Sequence, residues 1–176
     1  MSGHKLRILG IDPGLQNMGW GVIEMVDNRL TYVDCGTVKT KAALPMSERL
    51  KTLDNTLADI VARFSPDTCA LEETFVNKNP ASALKLGMAR GVAMVVPARM
   101  GLPVFDYPAN VIKKTVVGAG HADKTQITMM VKMLLPKAEP DSEHAADALA
   151  IAICHAHHAP MQIFVANQQN EARGRA

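Results

Sequence analysis

Hydrophobic and polar positions change period several times along the chain, and each change marks an element. Leu6 to Ile11 is a short apolar run that stops at Asp12-Pro13-Gly14, a strand ending in a turn. Met18–Val26 and Leu30–Thr40 predict two further strands, with Asp27-Asn28 as a tight hairpin connection between them. From Met46 the period lengthens. Leu50, Leu53, Leu57, Ile60, Val61 and Phe64 recur at three- and four-residue steps, an amphipathic helix closed by Ser65-Pro66. Thr68–Leu71 predicts a brief buried strand running into Glu72-Glu73, and a polar loop at Asn77-Lys78-Asn79-Pro80 opens a helix over 81–100. Pro103–Tyr107 reads as a fifth strand, followed by helices at about 109–117, 124–135 and 142–158. The order of elements predicts an α/β domain over residues 1–158, with a mixed five-stranded sheet flanked by helices. From 159 to 176 no period is visible, and a mobile tail is expected.

Composition narrows the class. Apolar residues make up 48% of the 176 and charged residues 20%, which suits a globular core rather than a disordered chain. Cys35, Cys69 and Cys154 are odd in number and far apart; they build neither a disulfide framework nor a zinc motif, so a reducing cytoplasm is expected. No stretch approaches the roughly 20 apolar residues that span a bilayer, and no membrane partner is expected. The net charge of +2 hides an uneven distribution. Residues 77–124 carry seven basic side chains against Asp106 and Asp123, while the segments on either side are net acidic. A basic zone between acidic flanks suits a protein that meets a polyanion on one face, although an ordinary solvated surface gives the same count.

Three acidic signals stand at element ends. Asp12 closes the first strand, where an Asp can also serve its own turn backbone. Glu72 and Glu73 close another strand; strand alternation allows only one of them to face the same site as Asp12 and does not say which. In Ser142-Glu143-His144-Ala145-Ala146-Asp147, Ser142 is a plausible N-cap, and His144 and Asp147 share one face of a helix otherwise built for burial. Such a polar pair needs partners. A hard divalent cation held jointly with Asp12 and a Glu would supply one, and a dipole-complementing helix start is the plain alternative.

Gly10-Ile11-Asp12-Pro13-Gly14, Leu71-Glu72, Phe75, Ser82–Gly87, Lys114–Gly118 and Ala145–Ala150 together resemble the RuvC family of bacterial Holliday junction resolvases, in order, from about residue 6 to about residue 158. The resemblance implies a ribonuclease H-like fold and a homodimer that nicks four-way DNA junctions symmetrically with Mg²⁺ or Mn²⁺. It also implies a branch-migration motor, RuvA and RuvB, as partner. It places the catalytic, metal-holding positions on Asp12, Glu72 and Asp147, and a fourth on His144, where relatives often carry Asp. The family's aromatic probe of the junction centre falls on Phe75, and its DNA-contacting lysines on Lys113 and Lys124. Lys78 is a weaker match to a strand-contacting residue. Read from the residues alone, Phe75 fits a base-stacking aromatic or a loop anchor equally. Ala83, Gly87 and Gly91 make a smooth helix face, for the chain's own sheet or for a two-fold partner. His155, His157 and His158 read as a solvated helix end. Two other functions compete: a RuvC-like RNA-processing nuclease, and an ATP-binding module of the actin and sugar-kinase type, which needs a second lobe.

Overall fold

The computed structural model describes residues 5–73 and 79–173, with side chains up to Ala159. Phe75 and Lys78 lie outside the described residues. The sheet has the order β3-β2-β1-β4-β5, built from β1 (Lys5–Asp12), β2 (Asn17–Val26), β3 (Arg29–Lys39), β4 (Thr68–Glu72) and β5 (Val104–Tyr107). β1, β2 and β3 form an antiparallel meander, and β4 and β5 run parallel to β1. The hairpin turn falls where Asp27-Asn28 predicts it, with Asp27 in the left-handed region at φ 53°.

Side-chain alternation along β1 gives the sheet two buried faces. Leu9 and Ile11 join Leu53, Leu57, Val61, Ala93 and Val96 from α1 (Met46–Phe64) and α2 (Pro80–Arg99). Leu6 and Ile8 face the other way, onto α3 (Ala109–Val117), α4 (Lys124–Leu134) and α5 (Glu143–Arg173). Each helix boundary follows local chemistry. Ser65 ends α1 in a left-handed conformation, Asn79 caps α2 through its side chain, and Asp123 with Gln126 forms a capping box on α4. Ser142 Oγ accepts from the Ala145 N–H at the start of α5, the capping role its position predicts.

Two expectations are corrected. The helix α5 runs on to Arg173 instead of ending near 158. Residues 161–173 are rich in Met, Gln, Ala and Glu, good helix formers, and extending an established helix costs far less than nucleating one. His155 is not part of a solvated helix end; it is fully buried. Its Nδ1 lies 2.7 Å from the Tyr107 hydroxyl and its Nε2 3.0 Å from Thr68 Oγ1, and its ring stacks on Phe105. Burial, with His158 adding to it, pushes its pKa down to about 4, so it is a neutral polar staple joining α5 to β4 and β5.

Candidate active site

The site is decided by how closely α5 lies on the sheet. A Cβ on Gly10 would stand 2.1 Å from the Ala148 carbonyl oxygen, and one on Gly19 would stand 1.9 Å from that of His144. Gly10 pairs with Gly21 and Asp12 pairs with Gly19, so the missing side chains form one bare patch across β1 and β2. The backbone of α5 rests on that patch, which brings its first turns over the end of β1. Thr37 on β3 pins the helix start, its Oγ1 lying 2.9 Å from Asp141 Oδ1 and 2.5 Å from Ser142 Oγ.

Asp12, Glu72, His144 and Asp147 therefore line one cleft of about 590 Å³. Alternation settles which Glu belongs to it. Ala70 packs on the α5 side of β4 and Leu71 on the other, so Glu72 returns to the α5 side, the side that Asp12 shares with Leu6 and Ile8. Lys113 of α3 and Lys124 at the first position of α4 also line it, with Asp123 beside Lys124. The structure thus brings together six of the eight residues singled out in the sequence, the other two being Phe75 and Lys78.

The cleft is electrostatically strained. Burial, together with the charges of Asp12 and Asp147, pushes the Glu72 carboxyl up to about 7, while Lys113 and Lys124 pull it down. Asp147 is raised to about 6 by burial and by Asp12, against Lys124 and His144. Burial raises Asp12 as well, opposed by its hydrogen bond to His144, whose Nδ1 lies 2.9 Å from Asp12 Oδ2. Among the described residues no three acidic, His or Cys side chains are already drawn tightly enough to enclose an ion. Three mutually repelling, half-buried carboxylates beside two lysines nevertheless form a hard oxygen donor set that gains most from a divalent cation.

This strain predicts a measurable effect. A carboxyl raised by folding contributes stability below its unfolded pKa, near 4, and loses it as pH rises through its folded value. In EDTA, Glu72→Gln should melt about 2–4 °C above the unsubstituted protein at pH 8, for roughly 1 kcal/mol after solvent screening. The gain should shrink several-fold by pH 5, where Glu72 is protonated. A pH-independent difference would show that Glu72 is not under this repulsion.

Comparison with known proteins adds a decisive observation. Residues 8–155 match the family model described as crossover junction endodeoxyribonuclease RuvC. The chain belongs to the RuvC family. A member from Rhodopseudomonas palustris (strain BisA53) is 61% identical over 155 residues, covering 88% of this chain and 89% of the relative. One from Azorhizobium caulinodans is 58% identical over 158 residues, 90% and 94% of the two chains. The solved Thermus thermophilus RuvC in complex with Holliday junction substrate superposes with a TM-score of 0.83 at 34% identity, over 89% of this chain and 96% of that one. The fold is accordingly ribonuclease H-like, and the family's enzymes are divalent-metal-dependent nucleases.

Sequence reasoning missed three features of this structure. One is the glycine patch under α5, whose signal was present as Gly19 and Gly21 inside a strand facing Gly10. Another is the His155 staple. The third is Arg49, buried on α1, for which no local pattern gives a signal.

Proposed function

We propose that the chain resolves Holliday junctions by paired nicks, with Asp12, Glu72 and Asp147 as metal-holding carboxylates, His144 as a proton carrier, and Lys113 and Lys124 on the DNA backbone. The observation that carries this reading is the convergence of three carboxylates with raised pKa values in one cleft together with two lysines. Mg²⁺, or Mn²⁺, would supply an activated water and charge stabilisation at the scissile phosphate when bound. The chain's own residues do the rest. Lys124 pairs at 3.0 Å with the exposed Glu143, a contact worth about 0–1 kcal/mol, so an incoming phosphate can take that place. Lys113 offsets the carboxylates' charge where the phosphodiester enters. With Asp12 ionised, His144 donates from Nδ1, which fixes the ring and leaves Nε2 as the nitrogen able to accept a proton from attacking water.

Support for the homodimer comes from α2. Leu84 is 63% exposed, Val95 52% and Met88 38%, and a Cβ at Gly87 or Gly91 would meet nothing within 4 Å. Among the described residues, Gly87 and Gly91 pack on nothing, which fits the two-fold partner that symmetric cuts require. Phe75, three residues beyond Glu72, is carried as the aromatic that enters the junction centre. By its family, the chain is assigned the partner motor RuvA and RuvB and a cytoplasmic site of action as part of this proposal. Among the described residues no helix is long and apolar enough to cross a membrane.

Cleavage assays on four-way junction, duplex and single-stranded DNA, with and without Mg²⁺, test the reading; equal cutting of all three would overturn it. His144→Ala should slow junction cleavage by about 10²–10⁴-fold equally in saturating Mg²⁺ and Mn²⁺ if His144 carries a proton. A ligand role would instead raise the metal concentration needed and change the Mn²⁺/Mg²⁺ rate ratio.

A further inference from the structure

Arg49 sits in the first turn of α1 and is only 8% exposed. Its Nε donates to Thr40 Oγ1 at 2.9 Å, and the Thr40 hydroxyl donates to the Leu15 carbonyl at 2.5 Å. The Thr40 N–H adds a bond to Gln16 O at 3.0 Å. The arginine is thereby tied to the turn that follows Asp12. Among the described residues, however, its two terminal nitrogens take no acceptor and no carboxylate pairs with it, while neither nitrogen is sealed from solvent. With Nε fixed on Thr40 and the stem buried, the outer edge of the guanidinium reaches solvent in a set orientation, ready to offer two parallel donors to an anion.

The surroundings share that sign. Lys39 and Lys41 are exposed on either side of Thr40. The N-terminus of α1 follows Pro45, which offers no side-chain cap; the Pro45 carbonyl takes the Glu48 and Arg49 N–H groups at 3.1 Å, and the positive end of the helix carries no capping side chain. Glu48, the acid of that turn, is directed to Lys51 at 3.6 Å. Register fixes the end of the sheet. Asn17 pairs with Lys39 and Gly19 with Asp12, so the end of β3 that leads into Thr40 and α1 lies at the same end of the sheet as the end of β1, with α1 on the face opposite α5.

We propose that Arg49, with the N-terminus of α1, binds a backbone phosphate of a DNA strand at the sheet-end rim on the α1 face, a phosphodiester site separate from Lys113 and Lys124. The inference rests on the junction-resolvase reading. Arginine suits the task because its planar fork can take two oxygens of one phosphate while Nε stays on Thr40.

The test is equilibrium binding of a four-way junction in Ca²⁺, from 50 to 200 mM salt, with melting temperatures on the same preparations. Arg49→Gln is expected to raise Kd about 5- to 10-fold at the lower salts and to reduce the log–log salt slope by about 1. Thr40→Val removes the internal partner but keeps the charge; it should lower the melting temperature and leave the slope unchanged. If Thr40→Val weakens junction binding as much as Arg49→Gln, or if Arg49→Gln leaves the slope intact, Arg49 is an internal peg and the proposal fails. Should Arg49→Gln not fold, Arg49→Lys decides: a single-point cation should bind the junction more weakly at unchanged slope, and binding equal to the unsubstituted protein would overturn the idea. Lys113→Gln and Lys124→Gln separate the two levels. If they too leave the slope unchanged, the junction reading of the cleft is at fault rather than the Arg49 site alone.

Discussion

Asp147→Asn is expected to reduce junction cleavage by about 10³-fold or more while junction binding stays equal or tightens. On the proposed mechanism, losing this carboxylate removes an oxygen that would hold the metal, and a metal's charge stabilisation is worth several kcal/mol of barrier, where each 1.36 kcal/mol is tenfold in rate. The same substitution takes away a negative charge that faces the incoming phosphate, whereas Lys113, Lys124 and the rim are untouched, so affinity has no reason to fall. The fold should tolerate the change, because Asp147 is held at a pKa of about 6 by burial and by Asp12 and gains relief when neutral. Asp12→Asn and Glu72→Gln should behave alike. Single-turnover cleavage and Kd on one preparation provide the measurement; near-normal cleavage by any of the three removes that residue from the centre.

On the proposed homodimer, replacing Leu84 and Met88 together by Glu should convert the protein to a monomer that still folds, its melting temperature lowered only by the loss of the partner. Both side chains are already exposed on α2, so no core contact is lost. Two charged residues placed on each copy would meet their two-fold mates in a desolvated seam, where like charges repel strongly. The predicted readouts are a halved mass in solution and the loss of simultaneous opposite nicks on a cruciform substrate, with junction cleavage falling about 10-fold or more. A variant that remains dimeric would move the interface elsewhere. One that is monomeric yet still makes paired nicks would break the argument that symmetry requires this face.

Much of this protein is legible in its sequence because the signals are local. The three-four periodicity of Leu50 to Phe64, the Asp27-Asn28 turn and the cap at Ser142 each depend on neighbours within a few residues, and all stand where the pattern puts them. The candidate site is legible as chemistry at element ends, and the family resemblance gathers Asp12, Glu72, His144 and Asp147 into one set by motif alone.

The rest depends on contacts between distant segments. Without the family motif, choosing Glu72 over Glu73 by alternation requires knowing which face of β4 carries Ala70, a fact no strand states about itself. The burial of His155 requires Tyr107 and Thr68 to arrive from β5 and β4; its own helix sequence reads as polar there. The extension of α5 to Arg173 reflects propagation from a helix already nucleated, which periodicity within the tail does not register. The solvent-facing side of α2 is ambiguous by composition, since Ala83, Gly87 and Gly91 would suit a sheet as well as a partner. Sequence determined which groups could do chemistry, because reactivity resides in side-chain type. Tertiary structure decided which of them meet, because the bare glycine backbone of β1 and β2 lets α5 approach and so sets Asp147 and His144 in one cleft with Asp12.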